Sequence, residues 1–182
     1  MPRHRIFIAI GIPKTLQLKI SEWRGNFSRK RSFPTLRWLS PENLHITLIP
    51  PWYEDERGLQ KIKEHLEKFT FRGPFKISFH KISYGPDPKR PRLIWLEGRT
   101  PKQIVELKTE LEKILSQKSE ARPFKVHLTI ARFRSEAFSS FPIKKIGESI
   151  SWSEQVKSFL IMESHLSPSG AQYSKFLEIP IL

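Results

Sequence analysis

The sequence predicts an α+β fold of two pseudo-symmetric lobes, each made mostly of antiparallel sheet with helices packed on the outside. Segments with alternating apolar and polar residues, typical of half-buried strands, are interspersed with segments whose apolar residues recur every three or four positions, typical of helices. Neighbouring strand segments are joined by short turns or separated by single helices, and one strand pattern occurs once in each half of the chain. We therefore expect residues 1–182 to form a single bilobal domain with the active-site cleft between its lobes.

The first half of the chain alternates strands and helices. Its first helix begins at Pro13, which suits an initial helical position, and the apolar residues from Leu16 to Phe27 share one face. Pro50 and Pro51 are expected to end the strand before them, because proline has no N–H to donate to a ladder. The predicted elements are a strand at residues 3–12, a helix from 13 to about 30, a short strand at 36–39, a turn at 40–43, a strand at 44–49 and a helix from about 57 to 69.

The second half repeats these elements. Two alternating strands flank a turn rich in Gly and Pro, and Thr100 is expected to cap a helix whose first turn contains Pro101. The apolar residues of that helix, from Ile104 to Ile114, share one face. The predicted strands of this half lie at residues 75–79, 93–96, roughly 125–134, near 155–165 and at 172–178.

The charge of the chain indicates a polyanionic partner. Lys and Arg number 32 against 18 Asp and Glu, so the formal net charge is +14, and such an excess attracts nucleic acid by neutralising its phosphates. The chain has no cysteine, which excludes disulfides and thiolate metal sites. It also has no apolar run of about 18 residues, so we expect no membrane span. The apolar residues 6–10 are too few for a signal peptide and suit a first strand, which favours the cytoplasm.

A five-residue motif occurs twice. Leu44–Leu48 has the sequence LHITL, and 82 residues later Val126–Ile130 has the sequence VHLTI. In a strand, each copy places its His and Thr on one face and its aliphatic residues on the other. A lone histidine on a strand is more often structural, but the repeat favours a catalytic role for both His45 and His127. Imidazoles titrate near neutral pH, so one of the pair can donate a proton while the other accepts one.

The threonines of the two motifs are predicted to bind a substrate phosphate. Thr47 and Thr129 each share a strand face with the histidine of the same motif, where a hydroxyl can donate to a phosphoryl oxygen and stabilise developing charge. The motifs contain no acidic residue and no cysteine, so their ligand set is poor for a metal hydrolase. We therefore expect neither a metal ion nor a cofactor.

Three further residues are candidates for substrate contact. The Arg132 guanidinium suits a phosphate, but in a regular strand it faces away from Thr129, so only a bulge or a strand end would turn it to the site. Its alternative is a surface or packing role. Trp52 and Tyr173 are candidates for stacking on a nucleobase, although buried and rim aromatic residues are common. Phe7 is expected in the core.

The paired His-x-Thr motif resembles that of the two-histidine (2H) phosphoesterase superfamily. More narrowly, the chain resembles the RNA 2′,3′-cyclic phosphodiesterases, also called 2′-5′ RNA ligases. The resemblance covers nearly the whole chain and is carried by residues 5–13, 37–48, 123–132 and 164–173.

That resemblance implies metal-independent hydrolysis of RNA ends that carry a 2′,3′-cyclic phosphate, tRNA fragments among them, to 2′-phosphomonoesters. It implies that His45 donates a proton to the leaving 3′ oxygen and that His127 accepts one from water. The same pair acting in reverse would join RNA ends through a 2′-5′ linkage. We expect the protein to act as a monomer.

Two other interpretations stay open at the level of the sequence. The same fold and histidines would also suit 2′,5′-linked oligonucleotides or small cyclic nucleotides, although the net charge of +14 favours RNA over a lone nucleotide. A non-catalytic basic RNA-binding module would explain the charge. It has no need of the repeated His-x-Thr motif.

Overall fold

The computed structural model describes residues 3–29, 31–167 and 170–182, which form nine strands and three α-helices. Two short 3₁₀ turns, at Pro41–Asn43 and Ser135–Ser140, complete the regular structure of these residues. No helix of the described ranges is long and apolar enough to cross a bilayer. The helices are α1 (Lys14–Ser28), α2 (Glu56–Glu67) and α3 (Lys102–Ile114), and the strands are β1 (His4–Gly11), β2 (Arg37–Trp38), β3 (His45–Glu54), β4 (Phe75–Gly85), β5 (Leu93–Arg99), β6 (His127–Arg132), β7 (Gly147–Val156), β8 (Ser158–Ser167) and β9 (Gly170–Pro180).

The strands form two antiparallel sheets, which confirms the predicted fold class. The four-stranded sheet has the order β3-β1-β8-β9, and the five-stranded sheet has the order β2-β6-β5-β4-β7. The lobes are not the two halves of the sequence, because the four-stranded sheet takes its strands from both ends of the chain. The two motif strands belong to different sheets, and β3 approaches β6 where the sheets meet.

A single large core lies between the sheets and the helices. The strand β1 turns Ile6, Ile8 and Ile10 toward this core, while Phe7 and Ala9 point to the opposite face of the sheet. Helix α1 is held against β7 because the Trp23 indole N–H donates to Glu148 at 2.6 Å. As predicted, the apolar face of α1 is buried, with Leu16, Ile20, Trp23 and Phe27 inside.

Two strands differ from the prediction. The strand β3 does not end at Pro50 but continues to Glu54. Proline is tolerated there because β3 is an edge strand, and because Pro50 and Pro51 lie at a register shift opposite Phe7. The strand β7 was not predicted at its position, since it is an edge strand whose residues are mostly exposed or half-buried and its apolar alternation is weak.

The predicted cap at Thr100 is also wrong, and its hydroxyl has another partner. Helix α3 begins at Lys102, and the residue before it, Pro101, is its N-cap and offers no side-chain hydrogen bond. The Thr100 hydroxyl instead accepts the N–H of Val126 at 3.1 Å. The Val126 carbonyl accepts the N–H of Gly98 at 2.9 Å. The first residue of the second motif is thus hydrogen-bonded through both of its backbone groups, to Gly98 at the end of β5 and to Thr100 just beyond it.

We expect Thr100→Val to lower the free energy of unfolding by about 1–2 kcal/mol, because it leaves the N–H of the buried residue Val126 without a partner. A matched control is Thr109→Val on the exposed side of α3, where the hydroxyl bonds only a carbonyl of its own helix. That change should cost less than about 0.5 kcal/mol. Urea unfolding of both variants checks the difference, and equal losses would contradict it.

Candidate active site

The two motif histidines are oriented by the same kind of hydrogen bond. The Nδ1 atom of His45 lies 2.7 Å from the carbonyl oxygen of Asn43, and the Nδ1 atom of His127 lies 2.9 Å from that of Lys125. Because a carbonyl only accepts, each Nδ1 donates a proton, and this fixes the neutral tautomer of both rings. Each Nε2 is then the nitrogen left for chemistry.

The structure brings the histidine and the threonine of each motif to one sheet face. In β3, His45 lies opposite Gly11 and Thr47 opposite Ala9 of the neighbouring strand. The aliphatic residues of the motif, Leu44, Ile46 and Leu48, are buried in the core, and Ile46 is fully covered. The second motif has the same arrangement on β6, where His127 lies opposite Glu97 and Thr129 opposite Trp95.

Two aromatic rings support the His45 imidazole. The centroid of the His45 ring lies 4.9 Å from that of Phe7 and 5.1 Å from that of Tyr173. The Phe7 and Tyr173 rings also contact each other edge to face at 5.0 Å. Phe7 is buried, as expected, but in a small cluster with Ala9 and Met162 that is separate from the main core. Tyr173 is therefore brought to the first motif.

His127 has an aromatic neighbour of its own, held by a polar network. The Trp95 ring lies 5.2 Å from the His127 ring, and its indole N–H donates to the Ser83 hydroxyl at 2.9 Å. The Ser83 hydroxyl donates in turn to the carboxylate of Glu97, the cross-strand neighbour of His127. Sequence reasoning missed this network, because only the pairing of β4, β5 and β6 brings its members together.

A bulge in β6 turns Arg132 toward the motif face. Trp95 lies opposite Thr129, but the preceding residue of β5, Ile94, lies opposite Ala131, so Ile130 is an extra residue in the ladder. Beyond this bulge the alternation is reversed. Ala131 packs in the main core, and Arg132 takes the same face as Thr129. From the sequence, a bulge or a strand end was required to turn Arg132 toward the motif face, and β6 contains such a bulge.

Trp52 is not brought to the site. Its register partner on β1 is Ile6, which points into the main core, and the Trp52 ring packs against that core as well. Its indole N–H donates to Glu54 at 2.8 Å. The bulge at Pro50 and Pro51 separates Trp52 from the motif, and the residue lies on the face of the sheet opposite His45.

Burial and nearby positive charge act on His45. Burial has the largest effect and lowers the pKa of His45 below the ordinary value of 6.5. The hydrogen bond to Asn43 opposes it, and the charges of Arg132 and His127 lower the pKa by smaller amounts. Because β3 and β6 approach each other where the two sheets meet, the strands that carry the two motifs lie close together. The lowered pKa favours the neutral imidazole of His45.

We expect an NMR titration to place the pKa of His45 below 6.5, and Arg132→Gln to raise it by removing a like charge. The pKa of His45 is lower in the folded protein than in the unfolded chain, so between pH 6.5 and the folded pKa the unfolded chain binds more protons. The free energy of unfolding therefore decreases as the pH falls through this range. Arg134→Gln, an exposed change beyond the end of β6, serves as the control. An unchanged His45 titration in the Arg132 variant would contradict the assignment.

Known proteins resemble this chain in sequence and in fold. The family model described as LigT-like phosphoesterase matches residues 10–95. The RNA 2′,3′-cyclic phosphodiesterase of Archaeoglobus fulgidus is 30% identical over 172 residues, covering 93% of this chain and 96% of the relative. The enzyme of the same name from Thermotoga maritima is 31% identical over 183 residues, covering 96% and 94%.

Solved structures share the fold at lower identity. The crystal structure of E. coli LigT complexed with 3′-AMP superimposes with a TM-score of 0.76 at 21% identity, covering 99% of each chain. A crystal structure from Thermus thermophilus, that of the protein TT0787, does so with a TM-score of 0.76 at 20% identity, covering 97% of each chain.

Proposed function

The chain belongs to the LigT-like phosphoesterase family of RNA 2′,3′-cyclic phosphodiesterases, and from this premise we propose that it opens RNA 2′,3′-cyclic phosphate ends to 2′-phosphomonoesters by a two-histidine mechanism. The observation that carries the proposal is the matched pair of His-Thr faces on strands of two different sheets, with both imidazoles in the same tautomer. We infer that residues 1–182 act as one bilobal domain, as a monomer in the cytoplasm.

Hydrolysis of the cyclic ester needs a proton acceptor on one side of phosphorus and a proton donor on the other. In the proposed step, Nε2 of His127 takes a proton from water as the water oxygen bonds to phosphorus. The bond between phosphorus and the 3′ oxygen breaks, and Nε2 of His45 gives its proton to that oxygen. The 2′ ester bond is kept. The step leaves His45 neutral and His127 protonated, and proton exchange with solvent resets the pair.

The other residues of the face stabilise the charge that develops on the phosphoryl oxygens. We propose that the hydroxyls of Thr47 and Thr129 donate one hydrogen bond each and that the Arg132 guanidinium supplies a positive charge. The position of each threonine on the strand face of its histidine supports this. Each motif offers a single imidazole and no carboxylate, a ligand set that is poor for a metal ion. We therefore infer a metal-independent reaction.

The role of His45 as the proton donor depends on the substrate. Burial and, to a smaller extent, the charges of Arg132 and His127 lower the pKa of His45 and so disfavour its imidazolium. The cyclic phosphate carries a negative charge, and its binding between the motifs offsets both effects. We infer that substrate binding raises the pKa of His45, so that its imidazole is protonated when the cyclic phosphate is bound.

We infer that the same pair performs ligation when a 5′-hydroxyl takes the place of water. Nε2 of His127 takes the proton of the 5′-hydroxyl as its oxygen bonds to phosphorus, the bond between phosphorus and the 3′ oxygen breaks, and Nε2 of His45 gives its proton to that oxygen. The junction that results is a 2′-5′ phosphodiester. Tyr173 contacts the His45 ring and is the aromatic residue that we propose to contact a nucleobase.

The experiment that tests the proposal is hydrolysis of a short RNA ending in a 2′,3′-cyclic phosphate, in excess chelator, with the position of the product phosphate determined. We expect rapid conversion to the 2′-phosphate. A metal requirement would overturn the metal-free step, and a 3′-phosphate product would overturn the direction of ring opening. Binding of the RNA without conversion would favour the non-catalytic RNA-binding interpretation.

A further inference from the structure

A cavity of about 680 Å³ lies beside the proposed catalytic histidines and takes no part in the proton transfers described above. It adjoins the residues that hold His45, because Asn43 and Tyr173 line it. Its other walls come from β1, β2, the end of β6 and the β8–β9 hairpin. A ligand in this cavity would therefore be continuous with one bound between the two motifs.

Three arginines line this cavity: Arg5, Arg37 and Arg132, here called the arginine cluster. Arg37 and Arg132 are direct register partners in the β2–β6 pair, so their side chains start from the same face of the sheet. Arg5 enters from β1 and donates through Nη1 to the Ser164 hydroxyl at 2.7 Å. This partner is neutral, so it leaves the Arg5 charge in place.

Among the residues that the structure describes, no ion pair neutralises the charges of the arginine cluster. Over residues 3–29, 31–167 and 170–182, none of the three guanidinium groups has a carboxylate oxygen within 4.0 Å. Like charges placed directly opposite one another in a sheet destabilise it. The pairing of Arg37 with Arg132 therefore costs stability that a bound anion would restore.

One acidic residue, Glu42, lines the same cavity. Hydrogen bonds to Ser40 and to its own backbone lower the pKa of this carboxyl, so it is ionised at neutral pH. Three guanidinium groups and one carboxylate leave the cavity positive. An anion would sit on the arginine side, away from Glu42.

We propose that Arg5 and Arg37 of the arginine cluster bind the internucleotide phosphate that precedes the reacting end of an RNA chain, so that the preferred substrate is an oligonucleotide and not a cyclic mononucleotide. The inference rests on the proposed function, which places the reacting phosphate between the two motifs. That phosphate is already served by two histidines, two threonines and Arg132. Arg5 and Arg37 are then available to a second phosphate, whose two free oxygens match the fork of a guanidinium group.

The test compares two dinucleotides that each end in a 2′,3′-cyclic phosphate. One has a natural phosphodiester between its nucleosides, and the other has a methylphosphonate, which keeps the bases and sugars but removes the charge. We expect kcat/KM to favour the charged linkage by about 10- to 100-fold in the unaltered protein, the range for hydrogen bonds to a charged group. Arg37→Gln and Arg5→Gln should each lower this ratio about tenfold or more.

A matched control is Arg57→Gln, which removes an exposed arginine of α2 away from the cavity and should leave the ratio unchanged. Thermal unfolding at low salt gives a second readout, since Arg37→Gln relieves a like-charge pair and should not lower the melting temperature. A lower melting temperature would assign Arg37 a structural role and overturn its role in the cluster.

The outcomes separate this inference from the proposed function. Equal rates on the charged and neutral linkages in the unaltered protein would overturn the subsite while leaving the phosphodiesterase intact. A ratio that neither arginine variant changes would do the same. If neither dinucleotide nor a mononucleoside 2′,3′-cyclic phosphate is hydrolysed, the proposed function itself fails.

Discussion

His45→Ala and His127→Ala are each expected to lower the turnover of a cyclic-phosphate RNA by about 10²- to 10⁴-fold, with RNA affinity nearly unchanged. The Nδ1 of each ring is hydrogen-bonded to a backbone carbonyl, so Nε2 is the ring nitrogen left for proton transfer. Each alanine change removes that nitrogen. Single-turnover rates measure the loss, and equilibrium binding of a non-reactive RNA end measures the affinity. A comparable loss of affinity would assign the histidines to binding.

The matched control for these variants is His65→Ala, which removes an exposed histidine of α2. It should leave turnover unchanged. The unaltered enzyme should show a bell-shaped pH–rate profile whose two apparent pKa values belong to the coupled pair of imidazoles. Retained activity in both single alanine variants, or a profile that is flat from about pH 5 to 9, would contradict the acid–base assignment.

A sulfur substitution distinguishes the donor from the acceptor. When sulfur replaces the leaving 3′ oxygen, the departing thiolate needs no proton, because a thiol has an ordinary pKa of only about 8.5. We expect His45→Ala to hydrolyse this thio analogue within about tenfold of the unaltered enzyme, whereas His127→Ala should remain slow on it. Rescue of the His127 variant instead would exchange the two roles.

Arg132→Gln is expected to lower kcat/KM by about 10²- to 10³-fold, the range seen when a group that stabilises the charge of a transition state is lost. The bulge at Ile130 places Arg132 on the strand face of His127 and Thr129, the face to which the proposed mechanism assigns the developing charge. Arg132→Lys should restore only part of the activity, because an ammonium group lacks the planar fork of arginine.

The matched control is Arg134→Gln, two residues further along and exposed, which should change kcat/KM little. The Arg132 effect should appear equally with a mononucleoside 2′,3′-cyclic phosphate, since Arg132 serves the reacting phosphate itself. An effect limited to longer RNA would place Arg132 only in the upstream subsite and contradict its role at the transition state.

The local pattern of apolar residues was sufficient to predict most helices and strands of the fold. The helix α1 and its buried face from Leu16 to Phe27 were predicted, because an amphipathic helix is a property of a short segment. Two of the edge strands, β3 and β7, were less predictable. Two prolines lie inside β3, and the polar strand β7 carries little alternation, because an edge strand has only one neighbour to satisfy.

The candidate site also contains residues that the local sequence pattern could predict and residues that depended on strand pairing. The repeated motif placed His45, Thr47, His127 and Thr129 on strand faces from sequence alone. Arg132 depended on a bulge, and a bulge is a property of strand pairing that neither strand shows by itself. Trp52 was separated from the first motif by a bulge of the same kind.

The sequence by itself determined which residue types are available and on which strand face each motif presents them, because a strand's period of two is local. Only the tertiary structure decided which faces meet. It brought β3 and β6 into different sheets that approach each other at these two strands, paired Arg37 with Arg132, and set Tyr173 from the last strand against His45. These contacts join residues far apart in the chain, and the register and burial that create them exist only once both sheets are folded.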